Sequence, residues 1–379
     1  MSAALDQTDL GTRIEAARLR TLDWFRARAI KRNGARLWTE SAAADPDRWP
    51  GMVLPGTYNS ALCLRLIGGL DDEDSAELAA TAGWIERSRR PDGSFWLDGM
   101  DEANVFKKDD RAESLRYVTW HIANYTFGAL QALGQTNPGD PAFVRPFLDQ
   151  KTLGHWLSRR DMRDPWQEGN NIVNLGSFLL LIGGHGAPGD AEAARVRLDQ
   201  LIEWHLFNSE PATGFWGVNQ SDGTGRLHAM AGATHNYHLF YALGVPIPHH
   251  ERAIDYCLTQ QPRAVSACID ADLVDILAHA HCHKDHRRGD IADWLAAMAE
   301  AILAVQNDDG GFPDVPNGDG VRRFDGWRNG FREPQGISCA FGAYFRWIAL
   351  AMIARCLMPG HRHWQFRPMP GLGYFKAEG

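Results

Sequence analysis

The stretch CIDADLVDIL (268–277) sets three carboxylates, Asp270, Asp272 and Asp275, among apolar residues. A carboxyl held in a dry site beside a second carboxylate has its pKa raised, which makes it a general acid near neutral pH. Asp270 and Asp272 form such a pair, and His235 or His238 would return the proton. Asp275 precedes His279 at i,i+4 and reads as its partner within a helix. A second polar entry is DPWQEGNNIVN (164–174), where Trp166 stands beside Glu168 and the amides of Asn170, Asn171 and Asn174. Sugar-binding clefts combine an aromatic face with such groups; a Trp packed on a rim, with Asn capping helices, is the competing reading. The run HAHCHKDH (279–286) offers imidazoles and a thiol of the kind zinc takes. Histidine at a helix C-terminus also suits the dipole there, and no metal or other cofactor is expected.

These residues need elements to position them. One type of segment recurs at 56–69, 121–134, 170–184, 233–244, 268–282 and 337–354. Each opens with small or polar residues and then turns almost wholly apolar, the pattern of a helix buried on all sides. Several end in Gly, the usual C-terminal cap. Amphipathic segments alternate with them, at 13–30, 74–90, 148–161, 193–207, 250–260 and 290–306. Three of these run into related turns, RPDGSFW (90–96), PATGFWG (211–217) and NDDGGFPD (307–314), where Gly makes the turn and an aromatic packs back. No period-two strand pattern competes. Six buried and six one-sided helices predict an all-α chain, an (α/α)6 toroid over 13–357. Residues 1–12 are expected as a flexible tail and 358–379 as a coil tail that wraps the surface or covers an opening.

The DGSFW, TGFWG and DGGF turns resemble the repeats of the terpene cyclase and protein prenyltransferase (squalene cyclase-like) superfamily of α/α toroids. That resemblance implies a pocket at the N-terminal ends of the inner helices. It places Tyr58, Asn59, His121, Asn124, Asn170, Asn174, His235, Asn236, His238, Asp270, Asp272 and Tyr344 near one cavity. Helix N-termini there would suit an anionic substrate group. The DAD of 270–272 is similar to the Asp-x-Asp-Asp motif of class II terpene cyclases, which makes Asp272 the acid and Asp270 its partner. Leu273 stands where the third Asp would be. Tyr237, Phe240, Phe341 and Tyr344 would then shield cations. Prenyltransferases of this layout hold zinc through Asp, Cys and His; here Cys268 precedes Asp270 and Cys339 replaces the His, so no zinc is expected.

Net charge is −8 and no run of Lys or Arg occurs, so nucleic acid is excluded as a partner. The apolar stretches 176–184 and 347–358 are too short to span a bilayer. No secretory pattern opens the chain, and its six cysteines lack paired spacing, which points to the cytoplasm and free thiols. The expected partner is a small-molecule substrate; the oligomeric state is left open. Three functions stay in play: acid/base chemistry on an isoprenoid-like substrate (cyclisation, isomerisation, hydration or dehydration), a carbohydrate-active lyase, epimerase or hydrolase, and a non-catalytic binding toroid.

Overall fold

The computed structural model describes residues 7–108, 110–217 and 223–375. Among them the chain is mostly helical. Six helices are buried along most of their length: α2 (Val53–Leu66), α4 (Arg111–Ala132), α6 (Pro165–His185), α8 (Gly223–Leu243), α10 (Ala267–His283) and α12 (Ala340–Leu357). Between them run α1 (Gln7–Arg28), α3 (Ser75–Glu86), α5 (Gln150–Ser158), α7 (Pro188–Asn208), α9 (His250–Thr259) and α11 (Arg288–Leu303). These bury one face and expose the other.

Each inner helix packs on the next, α2 on α4, α4 on α6, α6 on α8, α8 on α10 and α10 on α12, and α12 packs back on α2. Helices α6 and α8 approach to backbone contact. A Cβ on Gly169 would strike the Gly232 backbone, and one on Gly232 would strike Pro165. Two glycines therefore let these backbones touch. Helix starts are fixed by side chains: Asp74, Asp110, Asp149 and Asp164 each accept a first-turn N–H, at α3, α4, α5 and α6. The recurring turns work as their spacing suggests. Gly93, Gly214 and Gly310 have φ of 85°, 75° and 90°, and the aromatics after them, Phe95, Phe215 and Phe312, are fully buried.

Four features depart from expectation. Helix α4 starts at Arg111, ten residues before its apolar run, because its charged first turns stand at a half-exposed rim. Two antiparallel hairpins occur, β1 (Ile30–Arg32) with β2 (Ala35–Leu37) and β3 (Val321–Arg322) with β4 (Glu333–Pro334). The first turns on Asn33-Gly34, both at positive φ, the usual signal of a two-residue hairpin. Helix α12 runs 18 residues at mean hydropathy 1.3, so by length and composition it reaches what a membrane span needs, yet it is packed between α10 and α2. Finally, the C-terminal tail does not lie on the surface. Arg367, Met369, Leu372 and Phe375 are buried, and Pro370, Gly371 and Leu372 bond to side chains of the inner helices. Residues 1–6 and 376–379 of the two expected tails lie outside the described residues, and the first helix already begins at Gln7.

Candidate functional site

The N-terminal halves of the inner helices surround a cavity of about 420 Å³. Helix α2 contributes Tyr58 and Asn59, α4 contributes Tyr117, His121 and Tyr125, and α6 contributes Trp166, Gln167 and Asn170. His228 and His235 come from α8, Cys268 from α10, and Phe341 and Phe345 from α12. Loops complete the wall with Glu40, Lys107, Asp164, Asp314 and the run Arg322–Asp325, and Leu372 of the tail also lines it. The volume lies within the range of small-molecule sites.

The long connection from α11 to α12 brings its charges to this mouth through the β3–β4 hairpin. It is tied to the loop before α4: Phe106 N–H donates to the Gly326 carbonyl (2.8 Å), and Lys107 Nζ lies 2.7 Å from Asp325. Arg322 donates to Glu40 (2.6 Å) and Glu333 (2.9 Å). Glu40 also accepts the Phe341 N–H at the start of α12 (3.0 Å) and the Asn59 amide (3.3 Å). Asp314 accepts the Ala267 N–H at the start of α10 (3.1 Å), and Asp164 caps α6. Three helix N-termini therefore already face carboxylates of this chain. They do not stand open to an anionic substrate group, as the sequence had suggested. Lys107 and Arg322 are likewise paired. Arg323, exposed at the rim, makes no ion pair among the described residues.

Two imidazoles in the cavity are neutral at pH 7. Burial pushes His121 down to about 4, with Asp325 opposing. Burial also pushes His235 down to about 3. His235 Nδ1 lies 2.6 Å from the Ala231 carbonyl and donates to it, so the lone pair is on Nε2. The aromatic wall is ordered by stacking: Tyr58 lies on Tyr125 at 5.5 Å, and Tyr117 is parallel to His121 at 6.1 Å. Tyr117 O–H donates to Asp325 (3.4 Å).

Of the sequence candidates, Tyr58, Asn59, His121, Trp166, Asn170, His235 and Phe341 line this cavity; the other catalytic and substrate-binding candidates do not. Asp270 is held in a buried ion pair with Arg346 of α12 and accepts the Val265 N–H (2.8 Å). Burial raises its pKa, with Arg346 opposing. Asp272 is fully enclosed, and neither carboxyl oxygen has a hydrogen-bond partner among the described residues. Burial, then Asp275 and Asp270, raise it well above the usual range, so it is a neutral acid behind the cavity wall. Asp275 lies between His238 Nε2 (2.8 Å) and His279 Nδ1 (3.1 Å). These partners hold it down to about 2 against burial. His238 faces Asp275 and the tail, its Nδ1 accepting the Gly371 N–H (3.1 Å).

Asn124 donates to Asn174 (2.8 Å) and accepts from Arg367 of the tail. Glu168 pairs with Lys108 and Arg160 (both 3.1 Å). Tyr237 O–H anchors the turn at Gly214 (2.6 Å). Asn236 is buried, and Tyr344 O–H donates to Leu372 (3.4 Å). In the HAHCHKDH run, His279 is stacked between Tyr241 (3.9 Å) and Phe375 (4.4 Å), and His286 pairs with Asp255 (2.9 Å). Among the described residues no His, Cys, Asp and Glu groups converge as a metal site would.

Sequence reasoning missed Glu40, Lys107, Asp314 and Arg322–Asp325, on loops and the β3–β4 hairpin, and Tyr117, Tyr125 and His228 on the inner helices. The one cue was the charge-rich RRFD at 322–325 inside an unusually long connection. No protein-family model matches this chain, and no curated protein matches it.

Proposed function

We propose that this chain is an (α/α)6 toroid enzyme doing acid/base chemistry on a carbohydrate, with a uronate as the first class to test. The closed cycle of inner-helix contacts supports the toroid. The observation that carries the function is the pairing, in one cavity, of two neutral histidines with tyrosines and an arginine, Arg323, that makes no ion pair among the described residues. His235 Nε2 or His121 takes a proton from the carbon beside the sugar carboxylate. Arg323 neutralises that carboxylate, and a tyrosine O–H among Tyr58, Tyr117 and Tyr125 protonates the departing or returning side. Trp166 and Phe341 give flat faces for sugar rings, while Asn59 and Asn170 meet hydroxyls. The isoprenoid reading asks Asp272 to protonate the substrate, and its carboxyl does not line this cavity.

The test is a screen of uronate oligosaccharides, followed by ultraviolet absorbance of an unsaturated product and by proton exchange in heavy water. Prenyl substrates run alongside. His121→Gln and His235→Gln keep the residues neutral and polar. The variant at the base loses about 10²–10⁴-fold in kcat, the usual worth of a general base. Activity holds from neutral pH downward and falls as pH drops through about 4 if His121 is the base. Turnover of a prenyl substrate, lost in Asp272→Asn but kept in both histidine variants, overturns this reading.

A further inference from the structure

The C-terminal ends of α10 and α12 bring two thiols together. Cys282 stands in the last turn of α10 and Cys356 in the last turn of α12, and the two helices pack on each other. Their sulfurs lie 3.5 Å apart. Cys356 Sγ–H also donates to the Ala278 carbonyl (3.3 Å), one turn before Cys282 on α10. The sulfur of one helix therefore rests on the backbone turn that carries the other, the close approach that a bridge requires. A disulfide holds its sulfurs at about 2.05 Å, and small χ1 rotations of the two side chains cover the remaining ~1.5 Å. Both residues are partly exposed, and helix ends fray, which gives a small oxidant access. Cys63, Cys257 and Cys339 are buried, and Cys268 lines the mouth cavity instead.

The pair stands beside the tail. Phe375 stacks on His279 (4.4 Å), one turn before Cys282. The same ring centre lies 4.9 Å from the guanidinium carbon of Arg355, the neighbour of Cys356. The two helix ends thus grip one aromatic of the tail between them.

We propose that Cys282 and Cys356 are a reversible disulfide site that fastens the ends of α10 and α12 around Phe375. The oxidant is a low-molecular-weight disulfide. Cys282 acts first, because the Cys356 thiol is held to the Ala278 carbonyl and pushed up by the sulfur beside it. The Cys282 thiolate attacks one sulfur of the small disulfide, whose S–S bond breaks and releases one thiolate. Cys356 then loses its proton, attacks the Cys282 sulfur and expels the second thiolate. Two protein thiols give up two electrons and two protons, and the small disulfide gains both as two thiols. In a reducing compartment such a pair stays as thiols and closes on oxidation.

The experiment equilibrates the full chain with mixtures of reduced and oxidised glutathione, alkylates the remaining thiols and maps the peptides by mass spectrometry. The peptides carrying Cys282 and Cys356 emerge joined from the oxidised monomer, and a reductant separates them. The bridged chain melts a few degrees higher than the reduced one, because the bridge closes a long loop in the unfolded state. Cys282→Ser and Cys356→Ser each lose the joined peptide and the difference in Tm between oxidising and reducing buffer. If both cysteines are still alkylated in oxidised glutathione alone, the proposal is overturned. It is equally overturned if either one pairs with another cysteine or with a second copy of the chain, or if the bridged chain melts no higher than the reduced one.

Discussion

The two ends of the inner helices handle charge in opposite ways. At the mouth, cations are matched within the chain: Arg322 with Glu40 and Glu333, Lys107 with Asp325, Lys108 with Glu168. Carboxylates sit on helix N-termini, where the dipole favours them. At the tail end, Asp275 is shared between two histidines, and Arg367 donates to the Asn124 carbonyl and amide oxygen, with no carboxylate partner among the described residues. The mouth pairs its other cations internally and leaves Arg323 without an ion pair among the described residues, so its chemistry falls to neutral imidazoles, phenols and that arginine. The tail end is completed by a late segment of chain, which closes the centre and carries its own arginine into it.

The sharpest way to break this comparison is to remove the segment. Ending the chain at Trp364 takes away Met369, Leu372 and Phe375, all buried. At about 1.5–3 kcal/mol for each buried side chain, the loss is roughly 5 kcal/mol or more. Urea unfolding followed by fluorescence measures it. A surface tail would change the midpoint by almost nothing, and that outcome would remove the tail from the core.

Next in size is the ion pair between Asp270 and Arg346, which links α10 to α12. Arg346 also donates to the Asp314 carbonyl (3.0 Å), so it ties the pair to the loop that caps α10. Arg346→Met strands Asp270 in a buried site and costs about 3–5 kcal/mol, the usual penalty for breaking such a pair from one side. The double variant Arg346→Met with Asp270→Asn recovers part of it. If the single variant is as stable as the wild type in urea, Asp270 is not held as a buried charge.

Much of the architecture was legible because it repeats. Alternating all-apolar and one-sided helices need only period and composition to be seen, and the Gly-aromatic turns mark their joints. Asn33-Gly34 announced the first hairpin by turn chemistry, although the flanking strands are too short for alternation to show. The site was half legible for a physical reason. An inner helix that is apolar all round carries no sign of its rotation about its own axis. Tyr58, His121 and His235 face the cavity; Asp272, His238 and Asn174, on neighbouring turns of the same kind of helix, face other helices or the tail. The loop charges Glu40, Lys107 and Arg322 have no periodicity at all, and only the folded chain brings them together.

The smallest change per step, one pH unit at a time, is the most discriminating, because it sets two carboxylates one turn apart against each other. Asp272 has its folded pKa raised well above the unfolded value of 3.8. Above that value the unfolded chain releases a proton that the native chain keeps. Stability therefore falls with rising pH, by about 1.4 kcal/mol per unit, until pH passes the folded pKa. Asp275 has the reverse sign. Its folded pKa is lowered to about 2, so its contribution is present above 3.8 and is lost as pH falls towards 2. Urea midpoints between pH 5 and pH 8 separate the two. Asp272→Asn removes the downward slope, and its advantage over the wild type grows with pH. Asp275→Asn leaves the slope in place and lowers stability across the whole interval. If wild type and Asp272→Asn run parallel from pH 5 to pH 8, Asp272 does not titrate as a buried, partnerless acid.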